Sequence, residues 1–111
     1  MLDLNSADSF HICANPVDMR NGRDGLPKAI REIMGHDPCD SSKAFILYSK
    51  DYRTIKIYHK ATGGSEIYIR YFDNGRFLKP IFSEMKASHR ISRIQLQLLL
   101  SGAVVTTIEI D

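Results

Sequence analysis

The chain has 111 residues and a formal net charge of +2, with 43% hydrophobic and 25% charged side chains, the size and balance of about one ordinary globular domain. No apolar run approaches the ~20 residues of a membrane span, and Met1 to Phe10 carries Asp3 and Asp8 without a basic residue, so neither a membrane protein nor an exported one is expected. The charge is uneven: residues 1–42 hold 4 basic against 7 acidic side chains, residues 43–93 hold 11 against 4, and residues 94–111 hold none against 2.

Along the chain, Phe10-His11-Ile12-Cys13-Ala14 alternates like a short strand and is ended by Asn15-Pro16. Val17 to Gly25 is dense in turn formers. A helix is predicted from Gly25 to Met34. Asp24 is placed to cap it, and Leu26, Ile30, Ile33 and Met34 recur at helical spacing. Pro27 sits harmlessly in the first turn, and Gly35 is placed to stop the helix.

From Lys43 the period changes to two. Ala44 to Ser49, Thr54 to Lys60, Glu66 to Phe72 and Arg76 to Lys79 read as strands rich in Ile, Tyr and Phe. Lys50-Asp51-Tyr52-Arg53, Ala61-Thr62-Gly63-Gly64-Ser65 and Asp73-Asn74-Gly75 connect them, with glycines for tight turns.

Pro80 to Ser88 reads as irregular. Ser92 and Gln95 form a capping box, with Ile91 and Leu96 as its hydrophobic staple, and Leu96, Leu99 and Leu100 form the buried stripe of a second helix ending at Gly102. Ala103 to Ile110 reads as a last strand or a packed tail. The fold class is α+β: an antiparallel β-meander of about four to five strands packed against two helices. One domain spans 1–111, with 1–8 and 103–111 as less ordered tails.

The +7 middle segment carries the functional reading. If Ile55, Ile57, Ile67 and Ile69 face the helices, the opposite sheet face presents Lys50, Lys56, Tyr58, Lys60, Tyr68 and Arg70. Arg53, Arg76 and Lys79 then stand at the strand ends. Cations interleaved with aromatic rings suit phosphates and unpaired bases, whereas the plainer alternative is a solvated sheet face with cross-strand Tyr pairs.

His11-x-Cys13 and His36-x-x-Cys39 have zinc-ligand chemistry but no standard spacing, so Cys13 and Cys39 read as reduced thiols of a cytoplasmic protein, and no metal or cofactor is expected. Asp18, Asp24, Asp37, Asp40 and Asp51 lie in turn or cap contexts, and no nucleophile elbow, Walker loop or HExxH motif is present, so no catalytic residues are expected.

Pro16-Val17-Asp18-Met19-Arg20-Asn21-Gly22-Arg23-Asp24-Gly25-Leu26 is similar to a motif of one bacterial family. It resembles the accessory protein TnpB, the second open reading frame, of the insertion-sequence-sixty-six transposons, which read T/V-D-M-R-K-G-F-D-G-L there. The resemblance continues through Phe45-Ile46-Leu47, Ile55-Lys56-Ile57, Asn74-Gly75-Arg76-Phe77 with Pro80, and Ile91 to Gly102. It thus covers about residues 8 to 102.

The resemblance implies a helper of transposition, since the recombinase of such elements is a separate, larger protein. The expected partners are DNA at the transposon ends, the transposase and the other small element-encoded protein. Within the motif, Asp18, Arg20, Gly22, Asp24 and Gly25 are expected to shape the entry to the first helix, or to contact a phosphate through Arg20. The competing expectation is an adaptor that holds the transposase or the other small protein without touching DNA.

Overall fold

The computed structural model describes residues 7–18, 25–101 and 107–110. The turn containing Arg20, Gly22 and Asp24, and the expected helix stop at Gly102, lie outside these residues. In chain order the elements are β1 (Ser9–Cys13), α1 (Gly25–Ala29) continued by a π-helical segment (Ile30–Met34), β2 (Lys43–Tyr48), β3 (Thr54–Ala61), β4 (Gly64–Tyr71), β5 (Lys79–Phe82), β6 (Ser88–Ile91), α2 (Arg93–Ser101) and β7 (Thr107–Ile110).

The helix expected from Gly25 to Met34 is present, but its second half is π-helical. Gly35 adopts φ +74° and returns its amide to the Ile30 carbonyl. That left-handed conformation is open to glycine and strained for most other residues. The wider turn leaves Ile30 and Met34 buried but turns Ile33 out, 48% exposed, so Ile33 drops out of the expected apolar stripe.

The main sheet runs β4-β3-β2-β1-β6. Consecutive antiparallel pairing holds for β2, β3 and β4, but β1 lies parallel to β2, with Phe10 opposite Ala44, and β6 closes the other edge antiparallel to β1. The expected all-antiparallel meander is therefore corrected to a mixed sheet. The physical reason is the α1 crossover: parallel neighbours need a long connection, and the helix between β1 and β2 supplies it.

A further correction concerns the strand expected at Arg76 to Lys79, which lies at Lys79–Phe82 instead and pairs parallel with β7 in a separate two-stranded sheet. The supposedly irregular stretch 80–88 thus contributes to β5 and to the start of β6. Pro80 is tolerated because every strand of a two-stranded sheet is an edge strand.

Both faces of the main sheet are covered. On one, Phe10, Ile12, Ile46, Tyr48, Ile55 and Ile57 pack with Leu96 and Leu99 of α2 and with Ile108 and Ile110 of β7. On the other, Cys13, Phe45, Leu47 and Tyr58 pack with Leu26, Ala29, Ile30 and Met34. The capping box forms in both directions: the Gln95 amide donates to Ser92 Oγ at 3.1 Å, and the Ser92 amide donates to Gln95 Oε1 at 2.8 Å. Ile91 and Leu96 are both buried beside it, while Leu100 is half-buried rather than core.

Candidate nucleic-acid interface

The β3–β4 hairpin decides where the basic side chains point. Ala61 pairs with Gly64, so the loop is only Thr62-Gly63, with Gly63 at φ +78°. The five-residue connection Ala61 to Ser65 would have set Lys56 opposite Arg70 and Tyr58 opposite Tyr68. The tighter turn slips the register by one, and a one-residue slip exchanges the faces of a strand. Lys56 is opposite Ile69 and Tyr58 opposite Ile67, while Ile57 is opposite Tyr68 and Ile55 opposite Arg70.

The expected common basic face is therefore divided between the two sides of the sheet. Lys56 and Tyr58 are buried, at 9% and 5% exposure, on the side that α1 covers. Lys60 is half-buried on that same side. Tyr68 packs against the opposite core.

A different group does come together, where the β2–β3 turn meets the segment after β4. The turn is fixed by its own side chains. Ser49 Oγ donates to Asp51 Oδ1 at 2.6 Å and accepts from the Thr54 amide at 3.0 Å, and the Arg53 amide donates to Asp51 Oδ1 at 3.1 Å. The Ser49 hydroxyl and the Arg53 amide hold the Asp51 carboxyl below its usual range.

Tyr52 takes φ +59°, a conformation a bulky residue adopts only when its surroundings impose it. Here its carbonyl accepts from the Phe77 amide at 2.9 Å, and its ring stacks on Tyr48 at 5.8 Å and tilts against Phe77 at 5.5 Å. Phe72 extends the aromatic group, 5.8 Å from Phe77, and its amide donates to the Arg53 carbonyl at 2.8 Å.

Cations rim this aromatic group. The Lys79 ammonium lies 5.7 Å from the Tyr52 ring and the Arg70 guanidinium 5.1 Å from the Phe72 ring. Lys50 and Arg53 belong to the turn itself, and Arg76 precedes Phe77 in the chain. Lys50, Arg53, Arg70, Arg76 and Lys79 are all exposed, with Asp51 and Asp73 as the neighbouring acids. Tyr52, Phe72 and Phe77 were not among the expected site residues; Phe77 in the Asn74-Gly75-Arg76-Phe77 motif was the available signal.

The two histidine–cysteine pairs converge only in part. The His11 and His36 rings lie 4.7 Å apart, but Cys13 is buried and Cys39 exposed. Among the described residues no three His, Cys, Asp or Glu side chains are grouped to hold a metal ion. Instead His11 Nε2 meets Ser9 Oγ at 2.9 Å, and His36 Nε2 meets Ser88 Oγ at 2.8 Å. Burial, reinforced by His36, Lys43 and Arg90, pushes the His11 pKa down to about 4, with Asp40 opposing. Asp18 and Gly25 are the motif residues within the described region: Asp18 is exposed and Gly25 opens α1.

Among the described residues no helix is long and apolar enough to cross a membrane. A family model described as IS66 Orf2 like protein matches residues 8–109 of the chain. No curated protein and no solved structure matches it.

Proposed function

The chain belongs to the IS66 Orf2-like family, accessory proteins of transposition, and from that premise we propose that it assists transposition in the bacterial cytoplasm by holding element DNA through the phosphate backbone. The observation that carries this reading is the gathering of the exposed Lys50, Arg53, Arg76 and Lys79 in the segments that hold the aromatic group at one end of the sheet, with the Lys79 ammonium over the Tyr52 ring. Flexible cations over a rigid turn match phosphates, which position a protein on a duplex without reading its sequence. The only basic residue in α2 is Arg93, so that helix lacks the clustered base-reading side chains of a recognition helix. The role is non-catalytic and calls for no cofactor.

Fluorescence anisotropy with a transposon-end duplex and an unrelated duplex tests the proposal. Both should bind at low salt with similar affinity. The Lys50→Glu, Arg53→Glu, Arg76→Glu, Lys79→Glu variant should lose binding, whereas Lys28→Glu with Arg31→Glu on the α1 side should keep it. A chain that binds no DNA at low salt yet co-purifies with the transposase would contradict this and make the protein an adaptor.

A further inference from the structure

Among the described residues the main sheet ends on β4, eight residues without proline. The direction of its free hydrogen-bonding groups follows from one bond. The Phe72 amide donates to the Arg53 carbonyl, and antiparallel pairs alternate along a ladder. Stepping back in twos, the amides and carbonyls of Arg70, Tyr68 and Glu66 point to β3. Those of Ser65, Ile67, Ile69 and Tyr71 point out of the sheet. On the α1 side the same strand leaves Ile69 43% and Tyr71 66% exposed.

A long edge strand with apolar side chains is a template for a partner strand, and where it carries charges the favoured register sets opposite charges across from one another. The only charges on β4 are Glu66 and Arg70, equally spaced about Tyr68. We infer that β4 is a dimerisation edge, pairing antiparallel with β4 of a second copy about a dyad at Tyr68.

In that register Glu66 faces Arg70 of the second copy twice over, and Ile67 faces Ile69 of the second copy twice over. Tyr68 meets its own counterpart on the dyad. The isoleucine pairs are the ones whose amides and carbonyls point outward, so they form the hydrogen-bonded pairs and Tyr68 the close non-bonded pair. Hydrogen-bond phase permits this register, and the placement of Glu66 and Arg70 about Tyr68 selects it among those that the phase permits. The neighbouring antiparallel registers set Glu66 or Arg70 against tyrosine, and a parallel pairing in register sets Glu66 on Glu66 and Arg70 on Arg70. The two five-stranded sheets become one sheet of ten strands, with a self-complementary interface as a two-fold dimer requires.

Sedimentation equilibrium of the full chain without DNA tests the inference. The wild type should show a monomer–dimer equilibrium. Glu66→Arg and Arg70→Glu should each weaken the dimer about tenfold or more, because both ion pairs become repulsive. The double variant Glu66→Arg, Arg70→Glu restores both pairs with their signs exchanged and should dimerise like the wild type. An equimolar mixture of the two single variants should form a heterodimer, which misfolded single variants could not do. A wild type that stays monomeric at its highest soluble concentration would overturn the inference. So would single variants that dimerise unchanged, or folded single variants whose dimer returns neither in the double variant nor on mixing.

Discussion

Ser92 and Gln95 satisfy each other's amides at the start of α2. Ser92 is exposed, so Ser92→Ala removes the cap and little else. It should cost ~1 kcal/mol, read as a lower denaturant midpoint with an unchanged slope. Such a contact is legible in the sequence because donor and acceptor lie three residues apart. The meeting of His11 and His36 is not, because it depends on α1 returning its end to the sheet. Its consequence is a pH dependence. His11 titrates near 6.5 when unfolded and near 4 when folded. Between those values the unfolded chain binds the extra proton, so the contribution is full above about pH 6.5 and is lost as pH falls toward 4. His36, lowered by burial and then by Lys43, acts in the same direction. Thermal melts should fall across that window, and His11→Gln should flatten the fall. An identical pH profile in the variant would show that the histidine pair is not its source.

At the scale of elements, α2 holds its side of the core through Leu96 and Leu99, both essentially inaccessible, while Leu98 is 42% exposed. Leu99→Ala should cost ~2–5 kcal/mol, but Leu98→Ala only about 0.5 kcal/mol or less; paired chemical denaturation curves read the difference. Equal losses would mean that the apolar stripe of α2 is not the face that packs. The helices and most strands were legible from hydrophobic period, caps and glycines, because those signals are local. Pairing was harder to read. The strand–helix–strand order of β1, α1 and β2 does hint at a parallel pair, but the run of strands that follows reads as a meander. The face of β4 depended on whether its loop has two residues or five, and Thr62-Gly63-Gly64 supports either length. β5 and β7 find each other across residues 83–106, which no local pattern announces.

For the whole molecule, the excess of basic residues in segment 43–93 was visible at once, but not where the fold would concentrate it. Lys56 and Tyr58 carried the expected alternation yet lie buried on the side of the sheet that α1 covers, Lys56 opposite Leu47 and Tyr58 opposite Phe45. The cations at the strand ends instead gather where the β2–β3 turn meets the segment after β4. If that end holds DNA by its phosphates, each cation engaged releases counterions. The direct measurement is the salt dependence of duplex binding for the wild type and for the Lys50→Glu, Arg53→Glu, Arg76→Glu, Lys79→Glu variant. With about four phosphates neutralised per chain, log affinity against log salt should fall with a slope of roughly −4, at about −0.9 per phosphate. The variant should retain its melting temperature and show no measurable binding at any salt concentration. A variant that binds with the wild-type slope, or a wild type that binds no duplex even at low salt, would contradict phosphate recognition at this end of the sheet.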